Sequence, residues 1–579
     1  MRPTALVLVA LASLAAAAMA GRGGGGGGGG GEGRRPEARV RQGRLRGEWL
    51  ETARRRVRYA SFRAIPYAAP PLGPLRFKDP RPAARWAGVR EATAWGAECT
   101  QLEGGQPKGA EDCLFLNVFV PPGAWAGAGA ASAAGPLPVL VYFPGGAFVR
   151  GSSNRYGPDY FMEAGGALLV TVNYRLGVFG FLSLGTADVP GNAALKDQTL
   201  ALRWVRDNIA AFGGDPARVT IFGQSAGGAS VHAHVLSPLS AGLFGAAVSI
   251  SGSMLAQWAL PRDAALQRRR LLERAGCADG RPEVWAACLR TLPAYDLVKA
   301  GGSVDLMREM LRDQQIPFTP VVDGAVPGAT PFLPDRPRRL ISTGRFNRVP
   351  YVAGVTSGEV LHFMASAPAN TPHFVEEGLA NLTRQFKEQM AAALPAGLPL
   401  NASDLARDVY RPDSRSGQHV LERLVEAAND AFFVWPAALS TRLQSAFEPR
   451  QYLYYFDLDA GLDLRKPALM PFLKQIEGVP HGGDLFYMFR IPDANTTLPE
   501  KSIEMRTLRS YVQLILNIAI TGKPTPQPVE GVLWPPYDSD ADGAYLNFGT
   551  DLLSAKTALR KKQLMVWDLL SLLISNRHS

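Results

Sequence analysis

The sequence predicts an α/β fold, a large mostly parallel central sheet with helices on both faces, and three observations lead there. Residues 114–120, 139–143, 167–173, 218–222 and Ala246–Ile250 are short runs rich in apolar residues, several of them β-branched or aromatic. Continuous runs of this kind are what strands buried on both faces require. Between them, residues 195–212 and Ala226–Leu236 carry apolar side chains at helical spacing. At one junction, 223–227, a strand passes into a helix through a tight turn flanked by glycines. Alternating strands and helices build a parallel sheet, because each crossover needs a connection long enough to hold a helix. Further helical periodicity over 374–392, 420–444 and 503–520 predicts helices that cover the sheet and wall a pocket.

The ends of the chain read differently from its middle. Arg2, an apolar stretch over 5–18 and the small-x-small site Ala18-Met19-Ala20 make residues 1–20 a signal peptide. Residues 21–39, including nine consecutive glycines, form a Gly/Arg-rich flexible segment, and 126–135 is a low-complexity surface loop. Residues 40–575 remain, long enough for one very large domain or two to four ordinary ones. The apolar stretch 567–574 is too short for a lipid-anchor tail and ends in polar residues. These features predict a secreted, extracellular product with no transmembrane segment.

Export permits disulfides, and four cysteines allow three connectivities. The short spacings Cys99 to Cys113 and Cys277 to Cys288 favour two local pairs, each closing a loop of about 12 to 15 residues and contributing ~3 kcal/mol. Sequons at Asn381, Asn401 and Asn495 fit surface glycosylation in the same compartment. No Cys-x-x-Cys or clustered histidine accompanies the cysteines, so no metal is expected. The net charge of +11 is concentrated at 34–58, where Trp49 is the only aromatic and no binding motif appears. That is a solvated basic face, not a nucleic-acid site.

The glycine-flanked turn carries the chemistry. Gly223-Gln224-Ser225-Ala226-Gly227 matches Gly-x-Ser-x-Gly in the strand-to-helix setting that exposes a nucleophilic serine on a strained elbow. A serine hydroxyl is a poor nucleophile at neutral pH and needs a base within hydrogen-bond reach. His481, in Gly478-Val479-Pro480-His481-Gly482-Gly483-Asp484, stands in a loop suited to presenting a side chain. His232 and His234 fall on the helix after the elbow, where packing or surface roles fit better. A carboxylate must hold the imidazole in one tautomer, and in this fold class it lies between serine and histidine along the chain. Glu359, at the end of Gly354-Val355-Thr356-Ser357-Gly358-Glu359, follows an apolar strand in that interval, among many other acidic residues. The developing oxyanion needs backbone N–H donors. Pro144-Gly145-Gly146-Ala147-Phe148 follows strand 139–143 with small residues where a ligand must approach, and Ala226 offers a further N–H.

Together these segments resemble the carboxylesterase/cholinesterase (type B carboxylesterase) family of α/β-hydrolases. Glu111-Asp112-Cys113-Leu114-Phe115-Leu116-Asn117-Val118 resembles one signature of that family, and Phe212-Gly213-Gly214-Asp215-Pro216 through the elbow to Ser251-Gly252-Ser253 resembles the other. Asn173-Tyr174-Arg175-Leu176-Gly177, Pro320-Val321-Val322-Asp323-Gly324 and His481-Gly482-Gly483-Asp484-Leu485 match further landmarks, and the likeness runs from about Val40 to Leu573. The resemblance implies a single α/β-hydrolase domain over 40–575 and a triad of Ser225, Glu359 and His481, with oxyanion donors at Gly146, Ala147 and Ala226. It also implies disulfides Cys99–Cys113 and Cys277–Cys288 and an ion pair between Arg76 and Glu111. The activity implied is hydrolysis of small-molecule carboxylic esters through an acyl-enzyme, without cofactors.

Departures from the family narrow the substrate. Gln224 replaces the usual glutamate before the nucleophile, a variant also seen in insect juvenile hormone esterases, and removes a negative charge. Pro144 stands where histidine or tyrosine is common, and Ala147 replaces a glycine, its methyl narrowing the site. Loop 100–112 has no aromatic residue, so the cation–π contact that cholinesterases make with choline is missing. Gln314 and Ile316 fall at acyl-pocket positions that are aromatic in cholinesterases, and Trp258 matches another. The leading expectation is a secreted carboxylesterase. A dedicated esterase for a hormone such as juvenile hormone or methyl farnesoate rests on Gln224. A catalytically silent binding protein like the neuroligins conflicts with the complete triad.

Overall fold

The computed structural model describes residues 34–125, 135–261, 263–302, 316–364, 409–410, 417–460, 462, 474–491 and 498–575. The signal peptide, the glycine run, nearly all of loop 126–135, the helix expected at 374–392, Gln314 and the three sequons lie outside them. The chain divides into two units, Met1–Arg35 and Pro36–Ser579, and the second carries everything that follows.

Among the described residues the strands, in chain order, are β1 (Glu37–Val40), β2 (Gly43–Arg46), β3 (Glu48–Glu51), β4 (Arg58–Pro66), β5 (Val89–Glu91), β6 (Gln101–Glu103), β7 (Gln106–Lys108) and β8 (Phe115–Val120). They continue with β9 (Leu137–Phe143), β10 (Leu168–Val172), β11 (Gly214–Gln224), β12 (Ala246–Ile250), β13 (Tyr351–Thr356), β14 (Gln451–Phe456), β15 (Ala544–Gly549) and β16 (Leu552–Thr557). Eleven of them form one sheet in the order β16-β15-β14-β13-β12-β11-β9-β10-β8-β4-β3. From β10 to β15 every neighbouring pair is parallel, and antiparallel strands finish both edges. The α/β-hydrolase fold expected from the sequence is the fold observed.

Side chains alternate across a strand, so the apolar runs feed two cores at once. In β9, Val139, Val141 and Phe143 enter the core on one face, while Leu140 and Tyr142 enter the other. β11 lies between β9 and β12 and delivers the elbow from the middle of the sheet.

Some boundaries move for identifiable reasons. β11 starts at Gly214, not 218, because the polar stretch Asp215-Pro216-Ala217-Arg218 hides an irregular first part that pairs before the register shift. The helix expected at 195–212 is Ala193–Asn208 followed by the 3-10 turn Ile209–Phe212. The last three residues of the segment expected to be flexible, 37–39, belong to β1, which pairs with β2 and buries Ala38 and Val40.

The helix expected at 420–444 breaks into Gly417–Asn429, a π-turn Asp430–Val434 and Trp435–Ser445. Pro436 is the cause: it has no N–H, and its ring crowds the carbonyl four residues back, Phe432. That carbonyl accepts instead from Trp258 Nε1, at 3.1 Å.

The basic stretch 34–58 is also not a free cationic face. Arg41 pairs with Asp207, Arg46 with Glu37 and Glu91, Arg54 with Glu163 and Glu500, and Arg56 with Glu51. Both disulfides form as the resemblance implies, Cys99–Cys113 and Cys277–Cys288. Arg76 is bidentate to Glu111, with Nε 2.8 Å from Oε2.

Candidate active site

Ser225 caps the N-terminus of helix Ala226–Leu236 with φ 61° and ψ −124°, a region few side chains enter. Two hydrogen bonds hold it there: Ser225 N to Ile250 O at 2.7 Å, and Ala229 N to Ser225 O at 2.8 Å. The flanking glycine is demanded by space. A Cβ on Gly227 would overlap the carbonyl oxygen of Phe143 in the neighbouring strand. Ser225 is 8% exposed, so the elbow opens on a recess rather than on bulk solvent.

Glu359 begins the helix Glu359–Met364 directly after β13 and is fully buried. One carboxylate oxygen accepts from Thr356 N at 2.8 Å, and the other meets His481 Nδ1 at 2.5 Å. The histidine loop is sewn to the acid loop by backbone: Gly358 N donates to Val479 O at 2.9 Å, and His481 N to Glu359 O at 3.3 Å. Ser357 Oγ adds an acceptor for Val479 N at 3.0 Å. The rings of Phe363 and Phe433 lie 4.9 and 5.0 Å from the imidazole and wall it from water. With a proton held on Nδ1 by the carboxylate, Nε2 is the acceptor face of the ring. Gln224 Nε2 lies 3.0 Å from it.

The turn expected to hold the oxyanion runs from Gly145 to Gly151. Gly146 has φ 124°, and Arg150 N returns to its carbonyl at 3.0 Å. Ala147 takes φ 54°, so its N–H is presented by a backbone geometry that glycine would adopt with less strain. The Asn-Tyr-Arg landmark explains how the turn is held. Tyr174 Oη donates to Pro144 O at 2.5 Å, and Asn173 Oδ1 accepts from Ser153 N at 2.8 Å. Arg175 is buried and bidentate to buried Asp197 at 2.7 and 2.8 Å. Gln101, inside the first disulfide loop, clamps the far end through Gly151 N and Gly151 O, at 2.9 and 3.1 Å.

A buried acid–imidazole pair on a loop beside a strained serine elbow is hydrolase geometry, and comparison with known proteins decides the rest. A model of the Carboxylesterase family matches residues 34–567. The chain is 33% identical to Venom carboxylesterase-6 of Apis mellifera over 88% of its own length and 90% of the relative's. Carboxylesterase 4A of Bos taurus is 30% identical over 92% and 94% of the two chains, and the acetylcholinesterase of Bungarus fasciatus 31% over 88% and 82%.

The chain belongs to the carboxylesterase family. It is a carboxylic ester hydrolase of the serine type.

Other expected residues of this carboxylesterase sit as follows. Trp258, expected in the acyl pocket, is buried and its indole N–H is spent on Phe432 O, with its ring near Phe148 and Phe433. It buttresses the π-turn that carries Phe433. Ile316 is buried, and its carbonyl accepts from Gln267 Nε2 at 3.0 Å. His232 and His234 are wholly buried, so packing, not surface, is their role. Burial drives both pKa values from 6.5 to about 3. His234 is satisfied at both nitrogens, by Ser240 Oγ at 2.7 Å and Gln198 Oε1 at 2.9 Å.

Sequence reading did not find the Gln224–His481 contact or the aromatic wall of Phe363 and Phe433. Nothing in local spacing signals them, since the partners lie 257 positions apart in one case. The proline at 436 was the one available clue to the π-turn.

Proposed function

We propose that this carboxylesterase is a secreted enzyme that hydrolyses small-molecule carboxylic esters through an acyl-enzyme on Ser225. The observation that carries the proposal is the buried Glu359–His481 pair presented beside the elbow serine. Glu359 fixes the tautomer that leaves His481 Nε2 basic. His481 takes the Ser225 proton as the hydroxyl attacks the carbonyl carbon, then returns it to the leaving alcohol. The N–H groups of Gly146, Ala147 and Ala226 receive the oxyanion. Water, activated by the same imidazole, releases the acid. Hydroxyl, imidazole and backbone donors supply every step, so no metal or organic cofactor is invoked.

Residues 1–20 act as the export signal and 21–39 as a leader to the domain, with glycans at Asn381, Asn401 and Asn495. Two disulfides support an oxidising destination. The hormone-ester reading drew on Gln224, whose amide is occupied by His481 and gives no support to a particular acyl chain.

The test is stoichiometric labelling with an organophosphate and turnover of a 4-nitrophenyl ester. One label on Ser225 is expected, and Ser225→Ala should lose about 10³- to 10⁶-fold in kcat. Turnover that survives in Ser225→Ala would overturn the assignment.

A further inference from the structure

The turn expected to hold the oxyanion borders open space through Val149 and Arg150. A cavity of about 340 Å3 opens there, walled by Leu102, Gly105, Val149, Val178 and Phe318 among others, with Arg150 at its edge. Arg150 is the only charged residue among the described residues lining it. Its position is fixed by the turn: its N–H returns to Gly146 O, and the next residue, Gly151, is clamped by Gln101. Its side-chain stem lies against the oxyanion loop, because a Cβ on Gly146 would sit 3.1 Å from Arg150 Cγ. The guanidinium therefore stays within one side-chain length of the carbonyl that Gly146 would bind.

Among the described residues, no hydrogen bond or ion pair engages this guanidinium. The neighbouring acid, Glu103, is already taken by Lys108 and Arg155, which hold its pKa down at about 2. Partial burial and the nearby Arg155 lower the pKa of Arg150 itself, as expected for a cation lacking a close anion. A recess whose lining, among the described residues, is uncharged apart from one guanidinium fork is complementary to a carboxylate.

We propose that Arg150 is a specificity-determining residue that recognises a free carboxylate in this cavity, making esters that carry a second, anionic group the preferred substrate class. The proposal rests on Ser225 acting as the nucleophile beside the same turn.

The experiment compares kcat/KM for matched esters with the full chain. One pair places the carboxylate on the acyl side, 4-nitrophenyl hydrogen glutarate against 4-nitrophenyl valerate. The other places it on the alcohol side, 5-butyryloxy-2-nitrobenzoate against 4-nitrophenyl butyrate. Intrinsic reactivity cancels when the anionic-to-neutral ratio is compared between enzymes. In Arg150→Met that ratio should fall about tenfold or more in one pair, and Arg150→Lys should keep part of it. Arg150→Gln gives the same reading should the methionine variant not fold. Ratios unchanged in both pairs would overturn the proposal. A second measurement needs no turnover: glutarate should bind Ser225→Ala at least about tenfold more tightly than Ser225→Ala/Arg150→Met by calorimetry. Equal binding would also sink the inference, whereas Arg150-dependent binding without any ester turnover would fault only the nucleophile assignment.

Discussion

Gln224 bears on the site through its contact with His481. Its amide lies on the imidazole nitrogen that accepts the Ser225 proton in the proposed mechanism, and both residues are 5% exposed. The amide N–H donates to Nε2, and a carboxylate in its place could not. Gln224→Ala should therefore lower kcat/KM about five- to tenfold, at about 1 kcal/mol for the lost hydrogen bond. Gln224→Glu keeps the size but not the donor and should not restore it. Steady-state kinetics of the three enzymes check this, and an unchanged kcat/KM in Gln224→Ala would refute the role given to the contact.

Among the elements, the π-turn Asp430–Val434 does the most for the site. Pro436 forces it, Trp258 satisfies the carbonyl it frees, and the turn places Phe433 over His481. Its first residue is anchored from the other end of the chain: Arg560 is bidentate to the fully buried Asp430 at 2.6 and 2.8 Å, and Tyr410 Oη adds a bond at 2.6 Å. Burial, the larger influence, raises the pKa of Asp430 against the opposing effect of Arg560. Arg560→Met leaves that acid uncompensated and should cost about 3–5 kcal/mol in chemical denaturation. Adding Asp430→Asn removes the stranded charge and should recover more than about 1 kcal/mol. Equal stability of single and double variants would show that the pair is not coupled.

The whole molecule should be acid-sensitive in a defined window. His232 and His234 stay neutral in the native state until about pH 3, while in the unfolded chain they take up protons near 6.5. The unfolded state therefore binds more protons between these values. The stability these residues contribute is complete above pH 6.5 and is lost as pH falls. Between about pH 6.5 and 5, unfolding free energy should drop with a slope approaching about 2.7 kcal/mol per unit for two protons. His234→Gln should remove about half of that slope, as denaturant midpoints across the pH series would show. An identical slope in the variant would mean that other groups dominate.

The local pattern of the chain determined the parallel strands and the elbow at Ser225, because buried strands demand unbroken apolar runs and a strained turn demands glycine at fixed offsets; it offered His481 as a candidate base, and the family likeness singled out Glu359 among many acids. The disulfide partners were narrowed by spacing, and a family likeness chose among them. Two things depended on tertiary structure alone: what covers the ring of His481, and what surrounds Arg150. Contacts between residues more than a hundred positions apart leave no periodic trace, since they are selected by packing and by the need of every buried charge or donor for a partner, and only the folded chain brings those partners within reach.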